Sequence, residues 1–600
     1  MSRAEIFYNE QIKKTKLEIE KLNNVIAQIS IIRLIIVVLG VIGAAYVYKN
    51  LSALQSVIVL ILTAIIFSFV AIIHGKRIAK RSKLEVVLEY NEKGIKRING
   101  EYRDFEDKGE DLLKDEHPFS NDLDVFGQNS LFQMINTTRT KSGRKKLGEI
   151  LSLNELPTSN EIKSKQEAIK ELAEKVNWRQ ELYVSSTFKK KKNNKEELEG
   201  LLSWCNEKSK NDMSRVIIAS IFIAITMVCV FLSILNIIPV SVVLLDLMIN
   251  FAVIKVITKD MGGVIELFNT TKQSIKSYYK ILELIEKEEF QSEYLRDLKL
   301  KIKESNNTSC TSEMKKLSDL LDWIGDSSGN AYFFIINVFV FADVFILFNL
   351  NKWRVLNGDK VEKWLEVMGE FDALSSISNI AFDHENWCYS TINNNEEIIC
   401  KDIAHPLIGE RAVSNTFELK NLKQVALITG SNMSGKSTFL RTIGINLVLS
   451  YIGAPSCANK FNCSIMNIYT CMRTKDNLEE SISSFYAEIL RIKLIIEACK
   501  RGEKVFFLLD EIFKGTNSRD RHIGATVLIK QLIANGAVGL LSTHDLELCD
   551  LEEEIKEIEN YNFREFYEEN KIKFDYKLRE GRSTTQNAVY LMKMAGIEIN

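Results

Sequence analysis

Two long stretches without a charged side chain constrain this chain more than any other feature of its sequence. Residues 54–73 and residues 216–235 each consist of 20 uncharged, mostly apolar residues. As a helix, such a stretch measures about 30 Å, which is the thickness of the hydrocarbon core of a bilayer. Apolar runs longer than about 18 residues are rare in water-soluble cores, so both stretches predict transmembrane helices.

Each stretch has an apolar neighbour, and the two pairs predict two transmembrane hairpins. Residues 30–48 precede the first stretch across a short polar turn and contain a single charge, Arg33. Residues 237–257 follow the second stretch across a turn near Pro239 and contain two charges. The alternative for both pairs is a set of fully buried core helices.

Lysine and arginine flank the two hairpins and are nearly absent from their connecting turns. The flanking positions are Lys13, Lys14, Lys16, Lys21, Lys76, Arg77, Lys80, Arg81, Lys83, Lys189–Lys192, Arg215 and Lys259. By the positive-inside rule, both hairpins begin and end in the cytoplasm. The charged residues 1–28 do not fit a cleaved signal peptide, so we expect a multi-pass protein of the cytoplasmic membrane.

The composition describes the rest of the chain as multidomain and largely helical. The 600 residues include only 5 Pro and 28 Gly, which argues against a turn-rich, all-β protein. The formal net charge of −1 excludes a basic coat along the whole chain, so any contact with a polyanion is local. The ten cysteines include no C-x-x-C pair, and neither zinc nor haem is expected.

The character of the sequence changes near residue 386, and three domains are predicted. Residues 1–118 would hold an N-terminal helix, the first hairpin and a charged helix over 74–116. Residues 119–385 would form a helical core and lever region that contains the second hairpin. Residues 386–600 alternate β-rich with helical segments, which is typical of an α/β domain with a largely parallel sheet. The predicted strands are 425–429, 505–509 and 538–542.

A glycine-rich motif connects the first of these strands to a helical segment. Residues 430–437 fit the phosphate-loop pattern G-x-x-x-x-G-K-[ST], and strand before and helix after are the context that this motif requires. Backbone N–H groups would surround the phosphates, Lys436 would bind their β and γ groups, and Ser437 would bind Mg²⁺. The candidate nucleotide-binding residues are Gly430, Ser431, Asn432, Met433, Ser434, Gly435, Lys436, Ser437 and Thr438.

Two later strands end in residues suited to ATP hydrolysis. Asp510 would hold Mg²⁺, and Glu511 would orient the attacking water. His544 follows the strand 538–542 and would sense the γ-phosphate. The candidate catalytic residues are therefore Glu511, His544 and Lys436, and the candidate metal ligands are Ser437 and Asp510. Arg519 and Arg521 are candidates for stabilising charge in this site. The alternative is that Ser518 caps a helix and both arginines face solvent.

These motifs resemble the ATPase domain of the MutS family, which is similar to ABC-type ATPases. The resemblance rests on residues 427–438, 510–520 and 542–545, on His405-Pro406, on 481–488 and on 582–596, and more moderately on 126–132, 136–140 and 143–147. It implies a homodimer that encloses two Mg·ATP. It also implies that Ser483 contacts the nucleotide of the other subunit, and that Asn517 and Ser518 lie in the loop that crosses the dimer interface.

The departures from the family concern DNA recognition. The chain shows no counterpart of the mismatch-reading module with its Phe-x-Glu wedge and no β-rich clamp over 258–330. It carries Ser431 and Ser434 where mismatch-repair members usually have Pro and Gly. The sequence resembles a membrane-anchored, MutS-related branch found in bacteria.

Three functions are compatible with this resemblance. The preferred one is a membrane-anchored, MutS-like ATPase that works as a nucleotide-gated dimer and acts on DNA. The alternative is a membrane-bound ATPase that remodels a protein or membrane partner without binding DNA. The weakest is an ABC-type transporter component, because no Leu-Ser-Gly-Gly-Gln signature is present.

A third apolar stretch, residues 331–350, contains Asp343, Asn337 and Asn349. As a fifth span it would put all later residues outside the cell, away from ATP. A core-facing helix is therefore expected there.

Overall fold

The computed structural model describes residues 1–186, 194–207, 213–259, 262–303, 309–327, 331–420, 423–473, 484–514, 516–568 and 571–583. The helices are α1 (Arg3–Asn50), α2 (Ala53–Ile98), α3 (Leu131–Ile135), α4 (Lys141–Ser152), α5 (Ser159–Glu174), α6 (Val176–Ser185), α7 (Asn194–Asn206), α8 (Met213–Ile234), α9 (Val240–Ile257), α10 (Gly262–Lys287), α11 (Glu293–Leu300), α12 (Cys310–Ser327), α13 (Ala331–Val340), α14 (Ala342–Asp383), α15 (Lys436–Tyr451), α16 (Ser484–Lys500), α17 (Ser518–Ala534) and α18 (Leu551–Glu554). The strands are β1 (Thr391–Asn393), β2 (Ile398–Ile403), β3 (Asn415–Leu419), β4 (Val425–Thr429), β5 (Lys460–Ser464), β6 (Asn467–Cys471), β7 (Val505–Asp510), β8 (Val538–Thr543), β9 (Ile558–Glu568) and β10 (Lys571–Glu580).

The chain divides into two compact units. Unit 1 comprises Met1–Thr137, Leu147–Gln180 and Leu374–Asn600, and unit 2 comprises Thr138–Lys146 and Glu181–Ala373. All the described strands lie within residues 391–580, so a helical N-terminal part and a C-terminal α/β part are confirmed.

Unit 1 contains two β-sheets. The larger sheet has the order β10-β9-β4-β8-β7-β6, and every neighbouring pair in it is parallel except the β9–β10 hairpin. The smaller sheet has the mixed order β1-β5-β2-β3. The three strands expected from the sequence are present as β4, β7 and β8, within one residue of their expected ends.

Apolar side chains hold helices against the larger sheet. Val505, Phe507 and Leu509 of β7 are buried with Ile495 of α16 and Ile529 of α17 in one core. A strand that is buried at successive positions has both faces covered, and β4 and β8 are buried throughout. The sheet is therefore covered by helices, and only the strand ends are left for polar chemistry.

The first predicted hairpin consists of α1 and α2, which continue well beyond its apolar segments. Ser2 caps α1 through a hydrogen bond of 3.2 Å from the backbone N–H of Glu5. The charged helix expected over 74–116 is wrong in its C-terminal extent, because α2 ends at Ile98. Gly100 follows with a φ of 76°, a left-handed conformation that ends the helix.

Small residues let α1 and α2 approach closely. A Cβ on Gly40 would lie only 2.2 Å from Cγ2 of Thr63. One turn further along, the hydroxyl of Ser56 donates to the carbonyl of Ala44 at 2.8 Å. Small residues four apart on one helix face are typical of helix pairs in membranes.

A buried ion pair anchors this hairpin to the rest of unit 1. Nε of Arg97, near the end of α2, lies 2.7 Å from Oδ2 of Asp383 at the end of α14. The hydroxyl of Tyr8 donates to the other oxygen of the same carboxylate at 2.8 Å. All three side chains are buried, so one polar cluster fixes α1 near its N-terminal end and α2 near its C-terminal end.

Unit 2 is helical, and a short segment near its start is held by one carboxylate. Oδ2 of Asp372 accepts hydrogen bonds from the hydroxyl of Thr140 at 2.6 Å and from its backbone N–H at 2.9 Å. A Cβ on Gly143 would lie 2.3 Å from the same oxygen. These contacts explain why the segment 136–147 combines threonines with a glycine.

The second predicted hairpin consists of α8 and α9, whose turn covers residues 235–239. The core-facing single helix expected over 331–350 is wrong in form. The segment consists of α13 and α14, which meet at Phe341 and are bent by 80°. By length and composition, four described helices, α1, α2, α8 and α9, could cross a membrane, and the bent pair is a fifth candidate.

Candidate functional site

The loop expected to bind phosphate connects β4 to α15. Gly430 and Gly435 have φ values of 147° and 110°, which favour glycine over any residue with a side chain. A Cβ on Gly430 would also lie 2.8 Å from the carbonyl oxygen of Phe563. Lys436 begins α15, so the loop ends at free N–H groups and the positive end of a helix dipole, which attract anions.

The side chain of Lys436 is folded into this loop. Its Nζ donates to the carbonyl oxygens of Gly430 and Ser431, both at 3.0 Å, and lies 3.6 Å from Oε1 of Glu511. Only 4% of the residue is exposed. Burial lowers the pKa of Lys436, while the carboxylates of Glu511 and Asp510 oppose that shift.

Two serines of the loop differ in their contacts. The hydroxyl of Ser431 donates to the buried Glu565 on β9. The hydroxyl of Ser434 is buried and has no hydrogen-bond partner among the described residues. Asn432, Met433 and Thr438 are exposed. An unpaired donor inside a glycine cradle fits an anion with several acceptor oxygens.

Asp510 and Glu511 lie at the end of β7, where sequence reasoning placed them. The hydroxyl of Ser542 on β8 donates to Oδ1 of Asp510. Glu511 leaves the strand with a φ of 50°, and its backbone N–H donates to the carbonyl of Ser542 at 3.0 Å. From this left-handed turn, the Glu511 carboxylate contacts Lys436 and His544.

Glu511 is surrounded by cationic and donor groups. Its Oε1 lies 2.7 Å from Nε2 of His544, and its Oε2 lies 3.2 Å from Nζ of Lys514. Hydrogen bonding to His544, followed by the positive charges of Lys514 and Lys436, lowers the pKa of Glu511 to about 2 against the opposing effect of burial. The carboxylate is therefore ionised throughout the physiological range.

His544 connects the three strand ends. Besides Glu511, its Nε2 lies 2.7 Å from Oδ1 of Asn432 and 3.4 Å from Nζ of Lys436. Because β4, β8 and β7 are neighbouring parallel strands, their carboxyl ends meet at one edge of the sheet, where ligands bind in such folds. The structure thus brings together Lys436, Glu511, His544 and Asn432.

The expected metal ligands also follow these strand ends. Ser437 is the second residue of α15, Asp510 is the last residue of β7, and both are partly exposed. A hydroxyl and a carboxylate are hard oxygen donors of the kind that Mg²⁺ prefers. The residues present therefore fit Mg²⁺ bound together with phosphate oxygens.

A cavity of about 320 Å³ lies beside the loop, lined by residues that include His405, Asn415, Gly435, Phe439 and Tyr576. Sequence reasoning noted His405 but missed Tyr576, which lies in a bulge of the β9–β10 hairpin with a φ of 55°. Burial lowers the pKa of His405 to about 4, so the imidazole is neutral at pH 7. Apart from Arg411, the residues that line the cavity are therefore uncharged at pH 7.

The residues expected at a dimer interface are only partly described. Ser483 lies outside the described residues. Asn517 caps α17 by accepting a hydrogen bond of 2.8 Å from the backbone N–H of Asp520. The expected cap at Ser518 is therefore wrong by one residue, since Ser518 begins the helix. Ser518 and Arg519 are exposed, and Arg521 is partly exposed.

Sequence reasoning also missed how the segment after α2 contacts this site. The hydroxyl of Tyr102 donates to the carbonyl of Leu407 at 3.1 Å, two residues after His405. Oδ2 of Asp124 lies 3.6 Å from Nη1 of Arg441 on α15, and Asp124 also pairs with Arg473 at 2.6 Å. No local motif marks these partners, because they become neighbours only through folding.

The comparisons with known proteins concern this C-terminal part. Residues 426–599 match the family model described as MutS domain V. The chain is 31% identical over 253 residues to the DNA mismatch repair protein MutS of Persephonella marina, and 30% identical over 245 residues to that of Aquifex pyrophilus. It is 29% identical over 251 residues to that of Clostridium botulinum.

The matches cover 40% of this chain and 27–28% of the length of those relatives. The chain thus aligns with little more than a quarter of each relative. The matched region contains the loop, both carboxylates and His544. Residues 426–599 of this chain are therefore similar to domain V of the MutS family.

Proposed function

We propose that this chain is a membrane-anchored, MutS-like ATPase that hydrolyses ATP in a nucleotide-bridged dimer and acts on DNA. The observation that carries the proposal is the meeting of Lys436, Glu511, His544 and Asn432 at the carboxyl edge of a parallel sheet. A structural ion pair would need neither the glycine cradle nor the unpaired Ser434 hydroxyl beside it.

The loop and the start of α15 bind the phosphates of ATP. The ammonium of Lys436 contacts Glu511 and two carbonyl oxygens. Phosphate oxygens are stronger acceptors and compete with these contacts when ATP binds. Ser437 and Asp510 would hold Mg²⁺, which would supply charge neutralisation at the phosphates. The adjacent cavity accepts the base between apolar and aromatic side chains.

Glu511 and His544 act on the attacking water. A carboxylate with a pKa of about 2 is a weak proton acceptor, so Glu511 chiefly orients and polarises the water. The water oxygen bonds to the γ-phosphorus, the bond from that phosphorus to the bridging oxygen breaks, ADP leaves, and the proton of the water passes to an oxygen of the released phosphate. His544, 2.7 Å from Glu511, holds that carboxylate in place and donates to charge that develops on the γ-phosphate.

Exposed apolar side chains near the carboxyl edge of the parallel sheet support dimerisation. Met433 in the loop is 85% exposed, and Ile523 and Val527 on α17 are 51% and 59% exposed. Large apolar side chains beside a nucleotide site suit burial against a second copy. In that arrangement Ser483 of one copy reaches the nucleotide held by the other, so that loss of the γ-phosphate releases the contact.

The membrane anchor consists of α1–α2 and α8–α9. In the first pair, the side chains of Leu34, Leu39, Ile42, Ile65 and Phe69 are all at least 59% exposed, a surface that water-soluble helices rarely show. The close Gly40–Thr63 contact and the flanking lysines and arginines agree with a hairpin inserted from the cytoplasm.

DNA is the proposed partner because the relatives are DNA mismatch repair proteins. The test is ATP turnover of the full chain, purified from the membrane fraction in detergent, with and without duplex or branched DNA over a salt series. Stimulation that weakens with salt supports phosphate contacts. Turnover without any DNA effect favours the remodelling alternative, and recovery of the chain in the soluble fraction contradicts the anchor.

A further inference from the structure

The break between α13 and α14 has no glycine or proline to explain it. Phe341 adopts a φ of 49° between the two helices, a conformation that is unfavourable for a bulky side chain. Its side chain is fully buried with Ala219 of α8, Ile254 of α9 and Val344 of α14. The strained break is therefore held in place by the second hairpin.

Side chains satisfy the backbone groups that this break frees. Oδ1 of Asn337 accepts from the backbone N–H of Asp343 at 3.0 Å, and its Nδ2 donates to the Asp343 carboxylate at 2.7 Å. Asn250 of α9 donates to the carbonyl of Val338 at 3.2 Å and to the hydroxyl of Thr226 of α8 at 2.8 Å. Side-chain hydrogen bonds of this kind are what a broken helix needs where no water is available.

The outer face of α13 is apolar and uncovered. Phe334, Ile335, Ile336 and Val340 are 44–53% exposed, while Phe334 also pairs with Phe251 of α9 at 5.5 Å between ring centroids. The apolar surfaces of α8 and α9 therefore continue onto α13. The material that covers the hairpin must also cover this face.

The lengths of α9 and α13 agree with a segment that enters and leaves the bilayer on the same side. From Asn250 to the end of α9 at Ile257 the axis advances about 10 Å, and from Ala331 to Val338 it also advances about 10 Å. The Asn250–Val338 hydrogen bond sets these two positions at one depth. The start of α13 and the end of α9 are thus equally far from that depth.

We propose that residues 331–350 form a re-entrant segment that enters the bilayer from the cytoplasmic side and returns to it, with acyl chains covering α13. The inference rests on the proposed membrane insertion of α8–α9. It keeps every residue after 350 in the cytoplasm with the ATP site, which a fifth span would not. The start of α14 forms the returning part of this segment. Its axis advances about 15 Å from Ala342 to Lys352.

Sidedness is tested with a membrane-impermeant maleimide on the full chain, in a background whose partly exposed native cysteines, Cys229, Cys388 and Cys457, are replaced by serine. We expect Trp323→Cys and Lys352→Cys to react only in inside-out vesicles, and Ile237→Cys, in the α8–α9 turn, only in spheroplasts. Reaction of Trp323→Cys and Lys352→Cys from opposite sides overturns the re-entrant path. Failure of Ile237→Cys to react from outside contradicts the anchor itself.

Lipid contact is tested with benzoylphenylalanine at Phe339, which is 37% exposed, and at Phe371, which is buried, as the matched control. The chain is reconstituted in phosphatidylcholine vesicles that carry an alkyne on the acyl chain. We expect a lipid adduct at position 339 and none at 371. A protein–protein adduct at 339 would show that a second copy covers α13, and equal lipid labelling at both positions would also overturn the proposal.

Discussion

Nε2 of His544 lies 2.7 Å from Oε1 of Glu511, and the same nitrogen lies 2.7 Å from Oδ1 of Asn432. One imidazole thereby connects the loop after β4 with the ends of β7 and β8. This contact makes the acidic pair part of a site rather than the polar end of a strand.

Replacing Glu511 with Gln keeps the shape of the side chain and removes its charge. We expect ATP turnover to fall by about 10²–10⁴-fold, because the water loses its orienting carboxylate, while ATP binding persists and the dimer accumulates. Turnover and sedimentation of the detergent-solubilised chain measure both effects. Glu497→Gln, on the exposed side of α16, is the control, and equal turnover of the two variants would contradict the assignment.

Replacing Lys436 with Ala removes the ammonium inside the loop. A charge-assisted hydrogen bond contributes about 1.5–3 kcal/mol, so we expect the Kd for ATP to rise by roughly ten- to a hundredfold. Lys530→Ala, whose side chain pairs with Glu554 at the surface, should bind ATP normally. If Lys436→Ala and Glu511→Gln formed equal fractions of dimer in ATP, nucleotide-gated association would be wrong.

The buried His405 makes stability depend on pH. Its folded pKa of about 4 lies below the ordinary value of 6.5, so between these values the unfolded chain binds a proton that the folded chain does not. Stability therefore falls as the pH decreases from about 6.5 to about 4. The melting temperature of His405→Gln should change less over this range than that of the wild-type chain, and parallel curves would contradict the burial argument.

The polar cluster at Asp383 should contribute strongly to stability. Asp383→Asn leaves the guanidinium of Arg97 buried beside a neutral partner, and we expect a loss of about 3–5 kcal/mol. Glu385→Gln breaks only an exposed pair with Arg3 and should cost less than about 1 kcal/mol. Thermal unfolding in detergent compares the two variants, and similar melting temperatures would exclude an anchoring role for Asp383.

Two glycines of the first hairpin allow a matched comparison of helix packing. Gly40→Ala adds a methyl group within 2.2 Å of Thr63, whereas a methyl group on Gly75 meets nothing within 4 Å. We expect Gly40→Ala to destabilise the hairpin by about 1–3 kcal/mol and Gly75→Ala to be neutral or stabilising, because alanine favours helix. Equal effects would show that α1 and α2 do not pack closely at Gly40.

The elements that could be predicted are those with short-range signals. Long apolar runs with few or no charges located α8, α9 and the apolar segments of α1 and α2, and the glycine motif located the loop between β4 and α15. Strands that consist mostly of apolar residues were also found. In each case neighbouring residues carry the signal, so no knowledge of distant contacts is needed.

The elements that were missed depend on distant partners. The run that forms β9 and β10 is interrupted by charges, and Glu565 joins the site only because β9 pairs with β4. The break at Phe341 lacks glycine and proline and is set by Asn250, about 90 residues earlier. Such contacts leave no local trace in the sequence.

The unbroken course of α2 has a mechanical consequence. From Ala53 to Ile98 its axis measures about 69 Å, and just past its C-terminal end Tyr102 contacts the carbonyl of Leu407 beside the cavity. A tilt of about 5° at that end displaces the opposite end by about 6 Å for a rod of this length. A rigid α2 therefore converts a small tilt beside the cavity into a displacement several times larger at its Ala53 end.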